Sequence, residues 1–465
     1  MYRDRRTLLI IVPVLAFLLI TTSIYLSGGY ITQAVFPKLR LPTTNGTAAE
    51  LSGARAKTEA ETTIVFSPTL STSNEPSPTP VASTPVIPNG TILQGSDIGK
   101  YLNAILDPSS TAFDRLQCPT LNRTRYAPLQ PLLDEYSSAN DQLDYFFALN
   151  LRNNLALLPR LIGSILEAIE YLDPAQCALS IVEGNSPDGT ADVLGALKPF
   201  LDDLDIPYFF SSSKVDPKKG DRIAKLAELR NLALEPLFNS LQGRAHSNTT
   251  VLFLNDVAIC AEDILELALQ RRNLGADMTC AMDWTYVGPD PTFYDVWVAR
   301  GINGDSFFEV PKDGNWNSAW NLFWNDATTK ARLMSRQPFQ VYSCWNGAVT
   351  FSAAPLLNGL RFRKAQKGHC SHGEPQIFCK DLWLKGYGKI AVVPSVNLEY
   401  SDEAATKIKK LKGYVSEYTQ KESVDKAVIE WAGPPEKVKC IEGWGHQFWK
   451  PWKISRREFV SNWKN

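Results

Sequence analysis

The arrangement of apolar and polar positions first sets apart the N-terminal end of the chain. Residues 8–26 are predominantly apolar and uncharged, and three arginines precede them within the first six residues. About twenty apolar residues cross a bilayer core as a helix, and the basic flank stays cytoplasmic. The pattern predicts a cytoplasmic tail over 1–7 and an uncleaved transmembrane anchor over 8–26. A cleaved signal peptide is the alternative, but its apolar region is shorter and ends in an A-x-A-like site, whereas Ser27-Gly28-Gly29 follows here.

The next part of the chain, residues 27–98, is predicted to be a disordered stem. Between residues 67 and 88, fifteen of twenty-two positions are Ser, Thr or Pro. Such a composition cannot bury a hydrophobic core and is typical of an extended, O-glycosylated stalk. The stem would hold the rest of the chain, residues 99–465, away from the membrane.

Residues 99–465 alternate between short apolar runs and helical patterns. Helical spacing follows Pro159, recurs near residues 191–201 and begins again after Asp263. The apolar runs of strand length are 145–149, 178–182, 251–254, 278–282 and 390–393. This alternation favours an α/β fold with a parallel sheet. Because ligands bind such sheets at the carboxyl ends of the strands, residues at those ends are the candidates for function.

Composition adds information about the compartment. The chain has 48 Lys and Arg against 49 Asp and Glu, a formal net charge of −1, so its overall charge offers no argument for binding nucleic acid. Eight cysteines, an even number, suit an oxidising lumen but allow about a hundred pairings. Four N-x-S/T triplets agree with a lumenal, glycosylated head; they begin at Asn45, Asn89, Asn122 and Asn248.

The sharpest chemical signal is the pair Asn255-Asp256, which ends the apolar run 251–254. Carboxylate oxygens bind Mn²⁺ or Mg²⁺, and such a cation bridges the phosphates of a nucleotide-sugar and neutralises the departing diphosphate. Glu183 ends the run 178–182 in the same way and could bind a ribose or a base edge. The turn sequence that follows, 187–190, is explained equally well by a surface turn.

Other residue patterns suit the remaining parts of a nucleotide-sugar. Arg222 and Arg230 lie on roughly one face of a predicted helix, where they could reach a diphosphate, although a solvated helix face is the alternative. Asp283 follows the run 278–282, and Asp295 is flanked by aromatic residues, a combination that suits a sugar. A salt bridge with Arg300 is the alternative for Asp295.

The C-terminal part contains two further candidates. Glu374 and Asp381 are spaced for one helix face, and either could contact an acceptor hydroxyl. Residues 343–347 read as a tight turn before an apolar stretch. A zinc site is a second interpretation of this part, although the spacing matches no common finger and lumenal cysteines favour disulfides; its ligands would be His369, Cys370, His372 and Cys379.

Taken in order, these motifs resemble one family. The series is Glu183-x-x-Ser186-x-Asp188-Gly189-Thr190, Leu226-Ala227-x-x-Arg230-Asn231, Phe253-Leu254-Asn255-Asp256-Val257, Cys280-x-x-Asp283, Phe293-Tyr294-Asp295-x-Trp297, Ser343-Cys344-Trp345-Asn346-Gly347 and Phe378-Cys379-Lys380-Asp381. Over residues 140–400 the chain resembles the fungal α-1,3-mannosyltransferases of glycosyltransferase family 69, a group that includes the cryptococcal mannosyltransferase and the capsule-associated proteins.

The resemblance implies a GT-A-like, Rossmann-type head over 99–465 in a type II Golgi membrane protein of fungal polysaccharide synthesis. It implies GDP-mannose as donor, Mn²⁺ or Mg²⁺ as cofactor, and retaining α-1,3 transfer of mannose to a glycan. Asp256 falls on the metal-binding position, and a third ligand from the C-terminal end is expected at His446. The chain departs from the family at Gly373-Glu374-Pro375, where Ser-Glu-Cys is expected, which leaves the local disulfide and the acceptor open.

Two other classes of function remain open at this level. The single carboxylate at the end of run 251–254 would also suit a non-catalytic lumenal partner in polysaccharide synthesis or export. A lumenal glycoside hydrolase is the other class, and it would need two carboxylates flanking the scissile bond and no nucleotide-sugar.

Overall fold

The computed structural model describes residues 86–131, 142–288, 290–366, 369–370, 373–419 and 428–452. The predicted tail, the anchor over 8–26 and most of the stem lie outside the described residues. Within the described ranges, every helix is too short or too polar to cross a bilayer. The predicted start of the head, residue 99, falls inside a helix that begins at Gly95, and Asp192 accepts hydrogen bonds from the N–H groups of residues 91–93.

The described strands form a central sheet and a separate hairpin. The strands are β1 (Leu143–Leu151), β2 (Cys177–Glu183), β3 (Tyr208–Ser212), β4 (Ala245–Leu254), β5 (Met278–Tyr286), β6 (Pro291–Phe293), β7 (Arg300–Gly301), β8 (Phe339–Ser343), β9 (Ala348–Ser352), β10 (Ile390–Leu398), β11 (Lys437–Gly443) and β12 (His446–Pro451). The sheet order is β3-β2-β1-β4-β9-β5-β10-β8-β7, with β6 paired to β5, and β11 and β12 form the hairpin.

All five apolar runs are strands, but the sheet is mixed rather than parallel. Strands β3, β2, β1 and β4 run parallel, as do β5 and β10. Strand β9 is antiparallel to both of its neighbours, β4 and β5, and joins the two parallel groups. The run 348–352 carries no signal of direction in the sequence, because strand direction depends on the tertiary path of the chain. The carboxyl ends of β1, β2 and β4 meet at one edge, where Leu151 pairs with Glu183.

Helices cover both faces of the sheet. They are α1 (Gly95–Leu106), α2 (Arg123–Tyr126), α3 (Leu158–Leu172), α4 (Thr190–Ala196), α5 (Lys198–Asp203), α6 (Arg222–Leu234), α7 (Ala261–Leu274), α8 (Ala327–Met334), α9 (Ala354–Leu357), α10 (Glu374–Leu384), α11 (Asp402–Lys412) and α12 (Val415–Thr419). The single helix predicted over 191–201 is two helices, α4 and α5. Pro199 explains the break, because it has no N–H with which to continue the hydrogen bonding of α4.

Two apolar layers result from the alternation of side chains along the strands. Phe147 of β1 and Leu252 of β4 belong to one buried cluster, together with residues of α1, α3 and α7. Phe146 and Phe253, the neighbouring positions, belong to the other, together with residues of α6 and α10. Successive side chains of a strand point to opposite faces, so each strand contributes to both layers. The polar strand ends are thereby left at the sheet edge.

Candidate active site

The end of β4 is held in place by the turn between β8 and β9. The Asn255 N–H donates to the carbonyl of Gly347 at 2.9 Å, and Asn255 Oδ1 accepts from Trp345 Nε1 at 3.0 Å. Gly347 has φ +83°, and a Cβ there would lie 3.2 Å from Cβ of Asp283, so only glycine lets the turn approach so closely. The amide of Asn255 is therefore engaged by this turn, and its predicted role toward the donor stays a prediction.

Asp256 is half-buried at this edge and is loosely held. Its Oδ2 accepts a hydrogen bond of 3.4 Å from Asn154 Nδ2, a residue that lies just beyond β1. Burial raises the pKa of Asp256, while its own backbone N–H, Asn154 and the positive charge of Arg230 oppose the rise. A carboxylate held by one long hydrogen bond keeps coordinating capacity for a cation.

Arg230 and Glu374, predicted for the donor and the acceptor respectively, form an ion pair with each other. Arg230 Nε lies 2.8 Å from Glu374 Oε1, and the two side chains are 15% and 3% exposed. The guanidinium lies over Trp345 at 4.5 Å from the ring centroid, and Phe253 and Phe362 also face it. This environment determines the position of the Arg230 charge, because ion pairing and cation–π contact act together.

Asp283 and Asp295, predicted to bind the sugar, lie close enough to affect each other's charge. Asp283 is fully buried, and Tyr400 Oη donates to its Oδ2 at 2.6 Å. Its Oδ1 has no hydrogen-bond partner among the described residues. Burial raises the pKa of Asp283 well above its ordinary value, and the negative charge of Asp295 raises it further. Two negative charges side by side are therefore disfavoured in this buried pair.

Asp295 faces the turn rather than Arg300. Its Oδ2 accepts from the N–H of Asn346 at 3.0 Å. Burial raises the pKa of Asp295 to about 6, although the Asn346 N–H and the charge of Arg230 oppose the rise. Arg300 donates instead to main-chain carbonyls, including that of Lys439 at 2.8 Å. The salt bridge considered as the alternative for Asp295 is not formed between these two side chains.

The stability of the head should therefore depend on Asp295 in a defined pH range. The pKa of this carboxyl rises from 3.8 when unfolded to about 6 when folded, so the folded state keeps a proton that the unfolded state releases. The Asp295 carboxyl therefore contributes to stability below pH 3.8, the pKa of the unfolded state, and this contribution is lost as the pH rises to about 6, the pKa of the folded state. Relative to wild type, Asp295→Asn should gain stability across this range, measured by urea unfolding at a series of pH values. Equal pH dependence in both proteins would contradict the assignment.

Glu183 and Arg222 occupy different parts of the same edge. Both carboxylate oxygens of Glu183 accept hydrogen bonds from its own loop and from Ser212, including 2.6 Å from the Ser186 N–H, and the side chain is fully buried. Glu183 thus shapes the loop that follows β2, and its predicted contact with the nucleotide stays a prediction. Arg222 is exposed at the first position of α6.

Tyr294 connects the predicted donor and sugar residues. Partial burial raises the pKa of its phenol, and the nearby positive charge of Arg222 opposes the rise. Three carboxylates add to the rise, those of Asp283, Asp295 and Asp256. Because these charges all act on one phenol, the strand-end residues form one electrostatic site.

Asp381 and His446 contact residues that do not belong to the site around Asp256 and Asp295. Asp381 accepts two hydrogen bonds from Arg363, at 2.8 and 2.7 Å, so both its oxygens are engaged. His446 is exposed, and its Nδ1 lies 3.2 Å from Glu442 of the same hairpin. In the described ranges no group of three or more His, Cys, Asp or Glu side chains could hold a metal ion. The predicted roles of these two residues stay predictions.

The structure pairs six cysteines, a result that sequence could not supply. The disulfides are Cys118–Cys260, Cys280–Cys344 and Cys370–Cys440, while Cys177 and Cys379 are free and buried. Cys370 is thereby bonded to the hairpin, which is incompatible with the zinc interpretation of the segment around it.

Sequence analysis missed two residues of this site. Tyr400 lies two positions beyond β10, whereas the apolar run that predicts this strand ends at residue 393. Asn154 follows β1 and reaches Asp256 from a loop without a distinctive pattern. The strand continues to Leu398 through Pro394, Ser395 and Asn397, which interrupt the apolar pattern and hide the strand end next to Tyr400.

Comparison with known proteins agrees with the ordered motifs. Residues 144–381 match the family model described as Cryptococcal mannosyltransferase 1. The chain is 34% identical over 387 residues to Alpha-1,3-mannosyltransferase CMT1 of Cryptococcus neoformans var. neoformans serotype D. This alignment covers 76% of this chain and 80% of the relative. The family match includes all candidate residues from Glu183 to Asp381, and excludes Tyr400 and His446.

Solved structures resemble the chain only weakly. Mannosyltransferase PcManGT from Pyrobaculum calidifontis, solved with GDP-Man and Mn²⁺, is 11% identical and matches 66% of this chain and 67% of its own, with a TM-score of 0.33. TarS from S. aureus is 13% identical, and the match covers 61% of this chain and 68% of TarS residues 1–349, with a TM-score of 0.32. On its sequence, the chain is an enzyme that belongs to the Cryptococcal mannosyltransferase 1 family.

Proposed function

We propose that this enzyme transfers mannose from GDP-mannose to a glycan acceptor in α-1,3 linkage, with retention of configuration and with a divalent cation. The observation that carries the proposal is the strand-end carboxylate Asp256, which shares one electrostatic site with Arg230 and with the Asp283–Asp295 pair. The family assignment and the name of the cryptococcal relative support the sugar and the linkage.

The residues at the end of β4 fit a cation that is bound together with the donor. Magnesium-type sites commonly use one or two protein carboxylates, while substrate phosphates and water complete the coordination. The partly exposed, loosely held Asp256 meets this requirement, and no further protein ligand is needed. When bound, Mn²⁺ or Mg²⁺ would neutralise charge on the departing diphosphate. We propose that Asp256 is its protein ligand.

The other residues divide the donor between them. Arg230, positioned by Glu374 and the rings around it, supplies positive charge toward the phosphates, and exposed Arg222 approaches the same site. Asp295, which is partly exposed, would bind a sugar hydroxyl, and the fully buried Asp283, to which Tyr400 donates, would support it from the interior. A retaining transfer of this kind needs no dedicated protein base, because the leaving phosphate can accept the proton of the acceptor hydroxyl.

We further propose that the enzyme works in the Golgi lumen, anchored by residues 8–26. The three disulfides of the described residues support an oxidising compartment. The basic residues before the apolar segment support a cytoplasmic N-terminus. Protease protection of the head in sealed Golgi vesicles would test this orientation, and digestion of the head without detergent would contradict it.

A panel of nucleotide-sugars tests the proposed reaction directly. The full chain, purified in detergent, should turn over GDP-mannose with Mn²⁺ present and lose this activity with EDTA. UDP-glucose, UDP-galactose and UDP-N-acetylglucosamine should be poor donors. NMR of the product should show an α-1,3-linked mannose. Use of a UDP-sugar in preference to GDP-mannose would overturn the donor assignment.

A further inference from the structure

Two partly exposed tryptophans lie together beside the candidate active site. Trp297 and Trp444 have ring centroids 4.5 Å apart, and Trp297 is 39% exposed. Trp297 lies two residues after Asp295, whereas Trp444 lies in the turn of the β11–β12 hairpin. Two distant parts of the chain therefore build one aromatic surface, which we call the tryptophan platform.

The hairpin that carries Trp444 is attached to the head through the middle of β11 and through its turn. The disulfide Cys370–Cys440 joins β11 to the segment before α10. Gln447 Nε2 donates to the carbonyl of Trp444 at 2.7 Å and to that of Val310 at 3.0 Å. These bonds hold the turn against the loop that follows β7, so the position of the ring does not depend on the indole contact alone.

The loop beneath Trp444 is shaped to receive the ring. Gly314 has φ +76°, and a Cβ there would lie 2.6 Å from Cδ1 of Trp444, so a side chain would displace the indole. Trp316 meets the ring at 73°, with centroids 6.0 Å apart. The indole of Trp444 is thus supported from inside while part of it stays open to solvent.

The platform lies on the side of the site that is away from the predicted nucleotide residues. Glu183 ends β2, and Asp256 follows β4, in the first parallel group of strands. Trp297 follows β6, which pairs with β5 in the second group. A ligand that extends from Asp295 onto the platform therefore moves away from Glu183 and Asp256, toward the second group of strands.

We propose that the tryptophan platform binds an uncharged pyranose ring of the acceptor glycan, one or more residues away from the hydroxyl that receives mannose. The apolar C–H face of a pyranose packs against an indole, and the rigid ring loses little conformational freedom on binding. The inference rests on the proposed transferase function. It also assigns to the β11–β12 turn a part in acceptor recognition through Trp444, independent of the predicted metal role of His446.

Binding and transfer by matched tryptophan variants test the platform. The full chain in detergent, with GDP and Mn²⁺, is titrated with α-1,3-mannobiose and α-1,3-mannotriose, and with methyl α-mannoside. Trp297→Ala and Trp444→Ala should each weaken binding of the trisaccharide, and raise its KM in transfer, by about tenfold. Trp444→Phe should recover part of the loss. Gly314→Ala, which displaces the ring without removing it, should resemble Trp444→Ala.

Two exposed tryptophans outside the platform provide controls. Trp449, on β12 of the same hairpin, is 46% exposed, and Trp320 is 76% exposed. Trp449→Ala and Trp320→Ala should bind the trisaccharide as wild type does. Urea unfolding of every variant identifies any that has lost its fold.

The outcomes separate this inference from the proposed function. A wild-type protein that turns over GDP-mannose but binds none of the saccharides, or whose binding is unchanged by the folded variants Trp297→Ala and Trp444→Ala, overturns the platform alone. Saccharide binding that depends on both tryptophans, in a protein without GDP-mannose turnover, supports the platform and rejects the proposed donor.

Discussion

Asp256→Ala is expected to reduce mannosyl transfer by at least about a hundredfold, a loss comparable to that of one electrostatic group acting on a developing charge. The carboxylate is the proposed protein ligand of the cation, and Asn255 beside it is engaged by Trp345. Initial rates with GDP-mannose, measured over a range of Mn²⁺ concentrations, provide the test. GDP binding by calorimetry should also lose most of its dependence on Mn²⁺.

The head of the Asp256→Ala variant should remain folded. Burial raises the pKa of Asp256, so the charged carboxylate is not favoured by folding, and the substitution removes only one long hydrogen bond, to Asn154. Asp202→Ala is the matched control, because Asp202 is exposed and pairs with Lys198 on a surface helix. Full transfer activity in Asp256→Ala would remove the metal role from this residue.

Arg230→Ala should cost both stability and activity. It leaves the Glu374 carboxylate, 3% exposed, without its ion-pair partner, and breaking a buried pair in this way costs about 3–5 kcal/mol in unfolding free energy. The substitution also removes the positive charge that faces Trp345. Because this charge lowers the pKa values of Asp256 and Asp295 in the wild type, both values should rise in the variant. Urea unfolding and steady-state transfer measure the two losses separately.

A double variant distinguishes the structural role of the pair from its functional one. Replacing both partners, as Arg230→Met with Glu374→Leu, removes the uncompensated charge and should recover most of the stability. Transfer should remain low, because the positive charge of Arg230 then no longer faces the donor phosphates. Substantial activity in the double variant would mean that the pair serves only the fold. Unchanged stability in Arg230→Ala would contradict the burial argument.

Much of the fold could be predicted because burial leaves a local record in the sequence. Parallel strands covered on both faces read as continuous apolar runs, and all five runs proved to be strands. Asp256, which follows the run 251–254, lies at the sheet edge as strand-end reasoning predicts, whereas Asp283 lies inside β5, because that strand continues past the apolar run to Tyr286. Pro159 at the start of α3 follows from the same local chemistry.

The partners of these residues could not be predicted, because contacts between distant segments depend on the path of the whole chain. Arg230 meets Glu374 across 144 residues, and Tyr400 meets Asp283 across 117. The pairing of the three disulfides and the antiparallel direction of β9 also depend on the path of the whole chain.

The sequence by itself determined the apolar runs that form strands and the polar residues that end two of them, Glu183 and Asp256, since both depend on side-chain type and short-range periodicity. Only the tertiary structure decided which charges neutralise one another and that Trp444 lies against Trp297. Each of these contacts exists because separate elements pack on one core, and that packing has no short-range signature.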